Sequence, residues 1–138
     1  MSAAETDALW LSLSVAARSV AFNLPFAILV AWLLTRARFA GRTLFDAFVH
    51  LPLVLPPVVV GYLLLVLFGV RGPVGGWLND TFGIRLAFTS TGAALATAVM
   101  SFPLVVRATR ISLENVDRGL EEAARTLGAG PIDRFVSI

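Results

Sequence analysis

LPLVLPPVVVGYLLLVLFGV, residues 51 to 70, runs for 20 residues without a charge. An uncharged apolar run of that length reads as a helix crossing a bilayer, whose hydrocarbon core is about 30 Å thick. Its prolines, Pro52, Pro56 and Pro57, crowd towards its start. Two further runs flank it. On the N-terminal side 28 residues lie between Asp7 and Arg36, interrupted only by Arg18. Within them Ser19 to Thr35 would extend about 26 Å as helix, at about 1.5 Å per residue. On the C-terminal side Leu86 to Val106 adds 21 uncharged residues. The chain therefore reads as an all-α integral membrane protein with three transmembrane helices, about residues 8–35, 47–70 and 86–108. A secretory signal peptide competes for the first run. Its leader, however, is acidic (Glu5, Asp7), and the run is longer than an ordinary apolar signal region.

Composition agrees. Of 138 residues, 57% are hydrophobic and 14% charged, with a mean hydropathy of +0.83; a soluble domain carries about a quarter charged residues. A water-soluble monomer is excluded on that ground. Eleven basic and nine acidic residues leave a net charge of +2, too small for a nucleic-acid footprint. There is no cysteine, so disulfides, thiolate metal sites and cysteine nucleophiles are out. A single histidine, His50, excludes a multi-histidine metal site. No internal repeat or low-complexity tract is visible.

Short loops rich in arginine stay on the cytoplasmic side. Arg36, Arg38 and Arg42 join the first two spans, and Arg107, Arg110, Arg118, Arg125 and Arg134 follow the third. The N-terminus is then outside and the C-terminal segment inside. Residues 71–85, RGPVGGWLNDTFGIR, become an external, turn-prone loop with Trp77 and Phe82 as interface anchors.

Each span carries prolines, Pro25 in the first, Pro52, Pro56 and Pro57 in the second, Pro103 in the third. Two readings fit them: packing kinks, or broken helices lining a path where unpaired backbone meets water or substrate. On the second reading Pro56, Pro57, Ser101 and Pro103 are the path candidates. Arg18 either snorkels to the outer headgroups or places a positive charge at an anion's entrance. His50 reads most simply as an interfacial or hydrogen-bonded histidine. Thr89, Ser90, Thr91, Thr97 and Ser101, with Gly92, Ala93, Ala94 and Ala96, suit close helix packing in the third span.

After that span, NVDRGLEEAARTLGAGPIDRFVSI (115–138) turns amphipathic. Asp117 is a credible N-cap, Glu121 and Glu122 sit in the early turns, and Gly128 with Pro131 behind it marks the stop. The predicted helix covers about residues 118–128. Leu120, Ala123, Ala124 and Leu127 form one apolar stripe at i, i+3, i+4 and i+7, with Arg118, Glu121, Glu122 and Arg125 on its flanks. Glu121 and Arg125 are spaced as an i, i+4 ion pair. Spacing alone leaves open whether this helix docks into a partner's groove or rests on headgroups or under its own bundle.

Glu122, Ala123, Ala124, three residues, Gly128, nine residues, then Ile138 resembles the EAA motif of permease subunits in ATP-binding-cassette importers. HLPLVLPPVVVGYLLLVLFG (50–69), RLAFTSTGAALATAVMSFPLVVRATR (85–110) and LEEAARTLGAG (120–130) are similar to the molybdate-type permeases of that family. The resemblance implies a cytoplasmic coupling helix, with Leu120, Glu121, Glu122, Ala123, Ala124, Arg125, Leu127 and Gly128 contacting an ATPase subunit. It further implies a second copy of the permease, an external or periplasmic oxyanion-binding protein, lipid around the spans, and a multi-pass location in a bacterial inner membrane. No cofactor is expected in this chain, ATP and Mg being held by the ATPase; the sequence has no Walker-type glycine loop of its own. No catalytic residue is expected either. The family pattern continues past the isoleucine with one residue and then Leu-Pro, so the resemblance implies a partial permease domain over 1–138 that does not transport alone.

The implied function is ATP-driven import of molybdate, with tungstate as a neighbouring substrate. A sulfate or thiosulfate permease shares the motif and architecture. A non-transport membrane scaffold recruiting a cytoplasmic partner is the rival from another class. An intramembrane enzyme is the weakest option, because the spans hold no paired carboxylates and a single histidine.

Overall fold

The computed structural model describes residues 2–137, all of whose regular structure is helical. Helix α1, Ala3–Arg36, starts where Ser2 accepts a hydrogen bond from the Glu5 N–H while the Glu5 carboxylate accepts one from the Ser2 N–H. This reciprocal cap satisfies two of the N–H groups that a helix start leaves unpaired. The helix runs through Pro25 without interruption and ends at Arg36, whose cation suits the negative end of the dipole.

Helix α5, Ser90–Asn115, is the partner of α1. Thr89 caps it, accepting from the Gly92 N–H at 3.1 Å. Ser19, Asn23, Ala27, Ala31 and Leu34 are buried on α1, against Ala94, Ala98 and Val106 on α5. Residues four apart share a helix face, so each helix presents one narrow seam. Alanines there let the two backbones approach closely, and two polar side chains lock the register. The Ser19 hydroxyl donates to the Ala94 carbonyl at 2.8 Å, and the Asn23 amide donates to the Ala98 carbonyl at 2.8 Å and to Ser101 Oγ at 3.0 Å. Both carbonyl contacts join residues 75 apart in sequence, so α1 and α5 run parallel.

Parallel neighbours require a connection that returns to the starting end. It is supplied by α2, Arg42–Val54, and α3, Pro57–Phe68. Asp46 of α2 meets Arg110, and Val49 joins the same apolar core as Val106, so α2 runs antiparallel to the lower half of α5. Gly61, Leu64 and Leu65 of α3 share a cleft with Leu86 and Gly92 near the start of α5. The span expected over 47–70 is not one straight helix: the chain bends by 107° between α2 and α3. The cause is local. Pro56 and Pro57 lack N–H groups, and a residue preceding proline is pushed into extended backbone. Leu55 and Pro56, each followed by proline, have ψ of 142° and 139°.

Residues 71–85 are not a loop throughout, since α4, Pro73–Phe82, occupies most of them. Pro73 stands in the first turn, where its missing N–H costs nothing, and Gly83 closes the end at φ 66°. Gly75 faces the carbonyls of Phe68 and Gly69 so closely that a Cβ would collide with them. Trp77 and Phe82 pack edge to face with ring centroids 5.7 Å apart. The third expected span, 86–108, begins and ends four to seven residues later as helix, at Ser90 and Asn115. Helices α1 and α5 are each long and apolar enough to cross a membrane, and the bent α2–α3 pair qualifies as a third crossing.

Candidate functional site

The arginine-rich end of the bundle gathers the chemistry. Asn115 ends α5, Val116 and Asp117 are extended, and α6 follows as Arg118–Thr126. The Asp117 carboxylate caps it, accepting from the Gly119 N–H at 2.8 Å. At the other end Gly128 lies at φ +83°, its N–H donates to the Arg125 carbonyl at 3.1 Å, and the Ala129 N–H reaches back to the Ala124 carbonyl at 3.0 Å. That pair of bonds is a Schellman cap, which needs the left-handed backbone that glycine adopts without penalty. Both ends of this short helix are therefore set by side-chain or glycine chemistry in its own sequence. The expected helix of 118–128 closes two residues earlier because Leu127 and Gly128 serve as its cap.

No residue of α6 is buried. Leu120 is 57% and Leu127 87% exposed, and Ala123 is exposed beside them. Three of the four residues of the predicted apolar stripe are therefore exposed within the described residues, and Ala124 is the exception. Glu122 and Arg125 are exposed, Glu121 and Ala124 half-buried. The predicted Glu121–Arg125 pair does not form. Glu121 Oε2 instead accepts from Arg36 Nη1 at 2.7 Å. An exposed i, i+4 pair is worth only about 0.3 to 0.5 kcal/mol, and a half-buried guanidinium at the end of α1 competes successfully for the carboxylate. Arg36, Arg38, Arg42, Arg118, Arg125 and Arg134 line a cleft of about 540 Å³ beside Glu121 and Glu122. A seventh helix, α7, Pro131–Ser137, follows beyond the stop and packs on α6. Pro131, read in the sequence only as a terminator, is its first residue. Ile138, the last position of the quoted motif, lies outside the described residues.

A second polar group ties α2 to α5 nearby. Arg110 Nη1 lies 3.5 Å from Asp46 Oδ2, and Arg110 Nε donates to Glu114 Oε1 at 2.9 Å. His50 Nδ1 sits 2.8 Å from the Asp46 carbonyl and 3.1 Å from its carboxylate, which makes it a hydrogen-bonded histidine on its own helix. Sequence inspection passed over Asp46; the signal available was a lone acid four residues before the lone histidine. Among the described residues no three His, Asp or Glu side chains come together to hold a metal ion.

The four path candidates do not form one site. Ser101 is engaged in the α1–α5 seam, where its hydroxyl accepts from Asn23 and donates to the Ala98 carbonyl at 3.3 Å. Pro103 is buried within the bundle, and Pro56 and Pro57 are exposed at the α2–α3 break. Arg18 is exposed and has no ion-pair partner among the described residues; it borders an apolar groove with Phe22, Phe68 and Leu95. Asn23 and Ser19 were the residues that spacing missed, because two polar side chains in an apolar run do not show which distant helix they face.

Residues 23–138 match the model of the binding-protein-dependent transport system inner membrane component. The chain belongs to this family. It is 62% identical over 134 residues to the molybdenum transport system permease protein ModB of Escherichia coli (strain K12), a match covering 97% of this chain and 58% of the relative. ModB of Haemophilus influenzae is 54% identical over the same shares. The sulfate transport system permease protein CysT of Escherichia coli (strain K12) is 49% identical over 117 residues, covering 85% of this chain and 42% of that protein. The chain thus spans somewhat over half the length of the ModB permeases it matches. Family membership accords with the helical, multi-pass inner-membrane architecture: the two long spans and the bent pair all fall within or overlap the matched residues.

Proposed function

We propose that this chain is part of the membrane-spanning subunit of an ATP-driven importer of molybdate, and that α6 is the surface through which an ATP-hydrolysing subunit engages it. The observation that carries the substrate is the 62% identity to ModB over 97% of the chain, against 49% over 85% for the sulfate permease CysT. What supports α6 as the contact is its form. It is a short helix with both ends capped, an exposed apolar stripe of Leu120, Ala123 and Leu127, and a charged rim, the features of a helix that seats in a groove.

In this mechanism the chain holds no cofactor and performs no chemistry. ATP and Mg belong to the ATPase partner, an external oxyanion-binding protein delivers the anion, and a second permease copy completes the pathway. Closure of the ATPase pair displaces each α6, and the attached spans tilt to alternate access between the two faces.

Labelled molybdate uptake tests the substrate, in cells carrying the complete permease with its ATPase and binding protein and excess tungstate or sulfate as competitor. Inhibition by tungstate and not by sulfate is the expected result. Inhibition by sulfate moves the assignment to the sulfate type, and absence of uptake favours a scaffold. The α6 contact is tested by Gly128→Trp, which removes the left-handed cap and adds bulk at the rim. ATP hydrolysis should persist while uptake falls about fivefold or more, as expected for a lost coupling of about 1 to 3 kcal/mol; unaltered coupled transport would refute the contact.

A further inference from the structure

We propose that Arg36 and Glu121 form a strut that makes α6 and the α1–α5 pair move as one body. The inference rests on α6 being the ATPase contact, and it names the residues that pass motion from that helix into the spans.

Covalently, α6 hangs from α5 through Val116 and Asp117, two consecutive extended residues with ψ of 123° and 119°. Such a linker interrupts helical hydrogen bonding and leaves two pairs of soft dihedrals about which α6 turns. Packing does not stop that rotation, since α6 buries none of its residues. Among the described residues, one side-chain hydrogen bond joins α6 to a membrane-spanning helix, and it is Arg36 Nη1 to Glu121 Oε2 at 2.7 Å. The attachment points are well separated in topology: Asp117 leads into α5, and Glu121, one turn later, is held by the last residue of α1. Arg36 is firmly based, for Leu34 two residues before it is fully buried and α1 is locked to α5 through Ser19 and Asn23. One tether permits α6 to swing, whereas two tethers into one rigid helix pair turn its displacement into tilt of that pair. The guanidinium and carboxylate are 20% and 34% exposed, less hydrated than a surface pair and so less weakened by solvent. Both act as positioning residues.

The complete permease, assembled in liposomes with its ATPase and binding protein, tests this through molybdate moved per ATP hydrolysed. Arg36→Gln should lower that ratio about fivefold while the ATPase subunit stays bound in wild-type proportion, and Glu121→Gln should lower the ratio as much. The exchange Arg36→Glu with Glu121→Arg should recover most of it. Wild-type ratios in both single variants, or no recovery in the exchange, overturn the strut. Loss of the ATPase subunit from the Arg36→Gln complex also overturns it, because the pair would then hold the docking surface in place instead of passing its motion on. This stretch has no cysteine of its own, so Arg36→Cys with Glu121→Cys offers a further check: bridging the two thiols with a short bifunctional reagent should restore the lost ratio, and failure to do so counts against the strut. The underlying assignment fails separately. If Leu127→Asp leaves ATPase binding unchanged, α6 is not the contact, whatever the Arg36 and Glu121 variants do.

Discussion

Asn23 holds two partners at once, the Ala98 carbonyl and the Ser101 hydroxyl, from a position 3% exposed. In lipid such a side chain has no water to fall back on, yet measured interhelical bonds of this kind average only about 0.6 kcal/mol with a maximum near 1.7. Asn23→Ala should therefore lower stability by about 0.6 to 1.7 kcal/mol, read as an earlier unfolding midpoint in a detergent titration; an unchanged midpoint would show that the seam alone sets the pairing. Ala31, fully buried four residues before Thr35, tests the seam itself. Ala31→Leu forces the two backbones apart and should cost about 1 to 3 kcal/mol in the same titration. Neither residue was legible as a contact in the sequence. A helical wheel shows which residues share a face, but the α1–α5 partnership joins residues 75 positions apart, and that choice belongs to packing. Gly128 was legible, because a left-handed cap is a requirement of one residue and its immediate neighbours.

At the scale of elements, the bend between α2 and α3 is the feature that prolines write most directly. Two successive residues are each followed by proline, so both adopt extended backbone and the helical ladder stops. Pro25, Pro52 and Pro103 stand alone, and α1, α2 and α5 continue through them. Replacing both members of the pair, Pro56→Ala with Pro57→Ala, should allow the helix to propagate and open the 107° angle. Spin labels on Thr43 and Leu67 should move apart; an unchanged distance would mean that packing of α3 against α4 and α5 holds the bend. Helix α4 shows the opposite case. Four glycines and a proline within residues 72–83 suggested a loop, yet Pro73 and Gly83 sit at the two ends where each favours a helix, while Gly75 permits close contact with the end of α3.

For the whole molecule, the deciding property is how little of its apolar surface the bundle covers. Trp10, Phe48, Val54 and Val58 are each more than 70% exposed, and large apolar side chains line the outside of α1, α2 and α3. A soluble protein does not present apolar surface on that scale; in a bilayer it faces acyl chains or further helices. The chain should remain in the membrane pellet through an alkaline carbonate wash and leave it only with detergent. Its recovery in the wash supernatant would refute the integral assignment. Parallel packing of α1 and α5 also demands an odd number of crossings between the outer end of one and the inner end of the other, which the bent α2–α3 pair provides.

The sequence by itself determined that the chain crosses a membrane, which end of it carries the arginines, where α6 begins and which glycine closes it. These depend on local composition, on Asp117 and Gly128 acting within a turn or two, and on the cost of burying charge. Tertiary structure alone decided that α1 pairs with α5, that Ser19 and Asn23 fasten them, and that Glu121 bonds to Arg36 instead of Arg125. The physical reason is that a carboxylate takes the best desolvated cation within reach, and which cation is within reach is set by how distant helices pack, a quantity no local pattern contains.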